Sequence, residues 1–115
     1  SFGFLSLAAE AVPGLSLPNL ENPMKQAAEA FEAGNYEAAV VILNRILASD
    51  RHNLEALIKR GVAFVKLNQR ERALKDFNRA FEEAPDNPRV ALVRGACFYE
   101  LKRYREALHD LEAAC

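Results

Sequence analysis

Two histidines, two cysteines and a few acid pairs are the side chains with chemistry to offer. His52 falls in a polar turn and His109 in a helical stretch of a different unit. Neither has a cysteine or acid at metal-ligand or triad spacing, so both read as surface residues. Cys97 sits beside Phe98 on the small-residue side of a helix and reads as core rather than nucleophile. Cys115 ends the sequence, and only exposure would make it reactive. Gly34, Gly61 and Gly95 are scattered and make no phosphate-cradling loop. Glu82–Glu83 and the Asp110, Glu112 pair read as solvated helix charges. Nothing here supports an enzyme, a metal site or a bound cofactor, and none is expected.

Two cysteines without a CxxC pair make no disulfide framework, which points to a reducing, cytoplasmic setting. The formal net charge is -1. Its distribution is uneven: residues 1–50 carry two bases and six acids, whereas the remainder carries thirteen bases and ten acids. Arg70, Arg72, Lys75, Arg79, Arg103 and Arg105 have no stacking aromatics between them, so nucleic acid is an unfavoured partner. No apolar run approaches the roughly 18 residues that would span a bilayer.

The elements that must position these residues emerge when the chain is shifted against itself by 34 residues. Ala39, Ala73 and Ala107 then coincide, as do Leu43, Phe77 and Leu111. Gly61 falls on Gly95, Phe64 on Phe98, and Asn53 on Asn87. The units are 20–53, 54–87 and 88–115, the last one incomplete. Within a unit, apolar residues recur at three- and four-residue steps, which lines one face of each of two helices. In the second unit these are Glu55–Leu67 and Glu71–Ala84. The connections Ala33-Gly34-Asn35, Asn68-Gln69-Arg70 and Lys102-Arg103 are short enough to force antiparallel neighbours. Asn22-Pro23 and Asn87-Pro88 read as helix starts, an Asn cap followed by a proline whose missing N–H costs nothing there. Gly61, Gly95 and Ala27 are expected to let the first helix approach Ala39, Ala73 and Ala107 on the second.

The run Gly61, Phe64, Ala73, Phe77, Ala80, Pro85 resembles the tetratricopeptide repeat, and the resemblance covers residues 20–115. The departures are Pro23, Leu57 and Ala91 in place of the family's early aromatic, and Gln26, Arg60 and Arg94 in place of its leucine. Arg51 stands where the first unit's closing proline belongs. The resemblance implies an all-α, right-handed superhelical stack of about three helix-turn-helix repeats. It also implies a protein-interaction scaffold or adaptor whose first helices line a concave groove.

Carried onto this chain, the family's groove floor is Met24, Ala28, Phe31, Ile58, Val62, Val65, Leu92, Ala96 and Tyr99, all apolar or aromatic. Its rim is Glu21, Glu32, Glu55, Lys66, Arg89 and Glu100. Some family members clamp a C-terminal carboxylate with Lys, Asn and Arg. The matching positions here are Met24, Ala28, Lys59, Arg89 and Val93, only two of them basic, so an apolar or amphipathic peptide segment is the expected partner. Residues 1–19 lie outside the repeat, and Phe2, Phe4, Leu5, Leu7, Ala8 and Val12 have the pattern of a short amphipathic helix. The third unit stops inside its second helix, leaving Leu108, Leu111 and Ala114 partly bare. Either the chain is a piece of a longer protein, or that end or residues 1–19 pack on a sister chain.

Overall fold

The computed structural model describes residues 22–115, and the apolar extension over residues 1–19 lies outside them. The described residues form six helices and no strand: α1 Pro23–Glu32, α2 Tyr36–Ser49, α3 Leu54–Lys66, α4 Arg70–Glu83, α5 Pro88–Glu100 and α6 Tyr104–Ala114. Each helix packs on the next, and α3 also touches α5. Three antiparallel pairs therefore stack in chain order, with the first helices of the second and third pairs in contact.

Local chemistry sets the boundaries. The first helix of every pair starts at an asparagine whose side-chain oxygen accepts a backbone N–H. Asn22 takes it from Lys25 at 3.1 Å, Asn53 from Ala56 at 3.0 Å and Asn87 from Arg89 at 2.9 Å. The turn within each pair is one motif used three times. The N–H groups of Asn35, Gln69 and Arg103 each donate to the carbonyl five residues back, on Ala30, Phe64 and Phe98, at 2.8 Å. That closure requires a left-handed residue just before the donor. The residues there are Gly34 at φ 77°, Asn68 at 60° and Lys102 at 64°.

The core runs along the stack in two clusters. One joins Leu43, Ile46 and Leu47 of α2 to Ala56, Leu57 and Ile58 of α3 and on to Ala80 and Val90. The other joins Ala73, Leu74 and Phe77 of α4 to Cys97 and Phe98 of α5 and to Ala107 of α6. The three repeated alanines, Ala39, Ala73 and Ala107, are at most 2% exposed. The glycines approach different neighbours from those expected. A methyl on Gly61 would drive into the Phe77 ring, and one on Gly95 would stand 3.0 Å from Cβ of Asp110 and Cγ of Leu111. The approach is thus to the bulky residue one turn beyond the alanine.

Two substitutions test this account by chemical denaturation. Gly61→Ala gains about 1 kcal/mol of helix propensity, but overpacking against buried Phe77 costs about 1–3 kcal/mol, so a net loss of up to about 2 kcal/mol is expected. Gly95→Ala, whose neighbour Leu111 can yield, should change stability by less. Stabilisation of Gly61→Ala by the full helix-propensity gain of about 1 kcal/mol would refute the close approach. Lys102→Gly relieves a left-handed backbone and should stabilise by about 0.5–1 kcal/mol, whereas Gly34→Ala should destabilise by a similar amount.

Candidate functional site

The nine apolar floor positions do not share one environment. Met24, Ala28 and Phe31 on α1 are half-buried, as are Val62 and Val65 on α3. Ile58 departs from the expectation of an open floor: it is 2% exposed and belongs to the first core cluster. Its side chain is enclosed by that cluster, so it has no surface to give a ligand. On α5 the situation reverses. Leu92 is 52% exposed, Tyr99 61%, and Ala96 is open between them. The accessible apolar surface is therefore concentrated at the α5 end.

Three of the rim charges are paired, two of them with each other. Both Arg89 terminal nitrogens reach the Glu55 carboxylate, at 2.9 and 3.4 Å, across one repeat length. Lys59 Nζ lies 3.7 Å from the same carboxylate, one turn along α3. Arg89 foremost, then Lys59, holds the Glu55 carboxyl below the usual carboxylate range, against the opposing effect of partial burial. Glu100 pairs with Arg70 at 3.1 Å. Glu32 and Lys66 are exposed and have no ion-pair partner among the described residues, and Glu21 lies outside them. The two basic residues that could meet a carboxylate, Lys59 and Arg89, thus already hold one.

Residues 99–111 form a second apolar feature. Tyr99, Tyr104, Ala107, Leu108 and Leu111 line a wholly apolar depression of about 340 Å³. Tyr99 meets Tyr104 edge-on, with ring centroids 5.4 Å apart. Phe31 and Tyr36 repeat that contact at 5.1 Å two units earlier. The same face is covered within the stack: Leu74 on α4 is 6% exposed, and its counterpart Leu108 on α6 is 59% exposed.

Sequence reasoning missed a pair of buried ion pairs and misread one of their members. Asp110, read there as a solvated charge, is 2% exposed, and Asp76 is 3% exposed. Arg60 grips Asp76 with two nitrogens, at 2.8 and 2.7 Å, and donates to Asn44 at 2.9 Å. Arg94 grips Asp110 at 2.8 and 2.9 Å and donates to Asn78 at 3.4 Å. Breaking a pair so buried costs about 3–5 kcal/mol, because the remaining charge has no partner. The signal was present as Arg60/Arg94, Asp76/Asp110 and Asn44/Asn78, each one repeat apart. In the first unit the Arg and Asp places hold Gln26 and Ile42, and the Gln26 Nε2 is buried without a hydrogen-bond partner.

The remaining candidates have structural settings. Cys97 is 1% exposed and its Sγ donates to the Arg70 carbonyl at 3.5 Å. Burial, then the nearby Glu100 and Glu71 charges, push its thiol up to about 11, far from a thiolate nucleophile at neutral pH. Cys115 is exposed, and both thiols are free. His52 contacts Glu83 through Nδ1 at the surface. Of the basic residues, Arg70 and Arg103 are paired with acids, and Arg72 lies over the Phe64 ring. Among the described residues no acid, His and Cys group could hold a metal ion, and no helix is long and apolar enough to cross a membrane.

Comparison with known proteins agrees with this architecture. No curated protein matches the chain by sequence. The second TPR of Spaghetti (RPAP3), solved bound to the HSP90 peptide SRMEEVD, superposes with a TM-score of 0.77 at 26% identity, covering 81% of this chain and 86% of that one. The Yersinia enterocolitica type III secretion chaperone SycD, solved with a peptide of the translocator YopD, gives 0.78 at 19% identity over 88% and 77%. PcrH, solved with the chaperone-binding region of PopD, gives 0.77 at 21% identity over 88% and 76%. The latter two share the fold. The family model described as Tetratricopeptide repeat matches residues 30–97, more than half of the sequence, and on that match and the stacked helix pairs the chain belongs to the tetratricopeptide-repeat family.

Proposed function

We propose that this protein is a peptide-binding interaction module, working as a scaffold or adaptor rather than a catalyst. It receives an apolar or amphipathic segment of a partner protein along the face shared by its first helices. The carrying observation is the contrast on that face. Leu92, Ala96 and Tyr99 of α5 are open and apolar, while Lys59 and Arg89 are occupied by Glu55. The Spaghetti domain holds a peptide rich in acids, SycD a peptide of the translocator YopD and PcrH the chaperone-binding region of PopD, so capture of a short segment is within the reach of this fold. An acidic tail would have to displace Glu55 from two cations. An apolar anchor needs only the surface that α5 leaves uncovered, and burying one leucine side chain contributes about 1.5–3 kcal/mol before association costs.

Ligands selected from a displayed random-peptide library should carry apolar anchors. Leu92→Glu and Ala96→Glu should each weaken a selected peptide about tenfold or more, with unchanged circular dichroism. Ile58 is unsuitable for this test because charging it would damage the core. Selected ligands that end in acidic residues and ignore both changes would overturn the reading.

A further inference from the structure

A groove runs between the second helices α2 and α4, with α3 as its floor. It consists of two adjoining hollows, of about 270 and 380 Å³, that share Arg60 and Arg79. Arg60 is engaged: it holds Asp76, the one acid among the described residues that lines either hollow. The other cations of the groove are not. Arg51 comes from the turn before α3, and Arg72, Lys75 and Arg79 stand at three- and four-residue steps along one face of α4. None of these four has an acid at ion-pair distance among the described residues. Arg79 donates instead to the Arg51 carbonyl at 3.4 Å, and Arg72 to the Gln69 side chain at 3.2 Å. Like charges gathered in one concavity focus a positive potential there. The corresponding groove between α4 and α6 differs. Its Arg94 and Arg103 hold Asp110 and Glu106, so only Arg105 of its arginines is unpaired among the described residues.

We propose that the groove between α2 and α4 receives a short, extended, acidic segment of a partner polypeptide, with a carboxylate at every second residue. Charge complementarity and spacing carry the assignment. Along α4 the step from Arg72 to Lys75 is ~4.5 Å and that from Lys75 to Arg79 is ~6 Å. Same-face side chains of an extended chain are ~6.7 Å apart, and the long basic stems take up the difference. Three successive carboxylates therefore meet the three α4 cations in turn, and Arg51 adds a forked donor beside Arg79. The surroundings disfavour a longer polyanion. Glu71 stands at one end of the cation row, and Asp50, Glu82 and Glu83 stand at the other, all exposed. A nucleic acid strand or an anionic membrane would run past the row onto these acids, whereas a segment of a few residues ends before them. The groove also lacks a free ring on which a base could stack, because the Arg60 and Arg72 guanidinium groups lie over Phe64, each 5.9 Å from its centroid. Residues 1–21 hold only Glu10 and Glu21 as acids, too far apart to supply the row.

The test uses the full chain and a fluorescent peptide, Glu-Val-Glu-Thr-Glu-Val-Glu, whose Val and Thr favour an extended backbone. Its C-terminus is amidated, so it carries no terminal carboxylate. Saturable binding that weakens with added salt is expected. A peptide of the same composition with its glutamates consecutive turns half of them away from α4 and should bind about fivefold weaker or worse. Arg72→Glu and Lys75→Glu should each weaken binding about tenfold or more. Arg105→Glu, an equal charge change outside the groove, should alter it by less than about twofold. Leu92→Glu should leave it unchanged, so this result and the capture of apolar segments on the first-helix face stand or fall separately. Arg72 and Lys75 are exposed, and circular dichroism should show each variant folded. Absence of saturable binding, indifference to the glutamate spacing, or an equal loss on Arg105→Glu would overturn the proposal. So would oligothymidylate or phosphatidylserine vesicles that bind through Lys75 more tightly than the peptide, since the groove would then serve another polyanion. A Lys75-dependent dimer of the protein alone would also overturn it, by showing the groove filled by a second copy.

Discussion

No pair of helices in this protein can bury its own apolar surface. A pair closed by a three-residue turn hides one face of each helix and leaves the other side of the second helix bare. That bare face is covered only when another helix stacks on it, as α3 covers α2 and α5 covers α4. The constraint explains why the core forms two linked clusters rather than a single central one. It also explains why the same residue type is dry in one unit and wet in another: Leu74 and Leu108 occupy equivalent places, and only the first has a helix above it.

Stacking by apolar contact alone would tolerate sliding. The buried Arg60–Asp76 and Arg94–Asp110 pairs resist it, because each arginine must meet a carboxylate within its own unit and an asparagine in the unit before. Sliding the two helices of a unit past each other would strand a buried charge, and displacing one whole unit would break the arginine's bond to the asparagine of the unit before. Arginine suits the task, since its planar fork satisfies both carboxylate oxygens and leaves a further nitrogen for the asparagine. The first unit, with Gln26 and Ile42, has no such pair of its own and is tied to the second through Asn44, which accepts from Arg60.

Two apolar surfaces result from these demands, and they differ in chemistry. The face of α5 is apolar where the first helices line up, with its nearby cations neutralised by Glu55. The face of α6 is apolar because nothing among the described residues stacks on it, and it ends in a free carboxylate at Glu112. The thiol Cys97, held protonated between α4 and α5, contributes packing rather than reactivity.

Much of the fold was legible in the residues because its causes are local and repeated. Helix periodicity, the asparagine caps, short turns and the recurrence of Ala39, Ala73 and Ala107 all act within one unit, so their spacing alone specifies paired helices. The family's groove positions could likewise be read onto the chain. Which of them face solvent could not be read, because exposure depends on what stacks above: Ile58 and Leu92 are equivalent by spacing, yet one is 2% and the other 52% exposed. The same holds for Asp110, which reads as a surface acid until Arg94 is seen to close over it from the neighbouring helix. Sequence by itself determined the elements and their order. Only tertiary packing decided which apolar residues are core and which charges are paired, because both are relations between units rather than properties of any one of them.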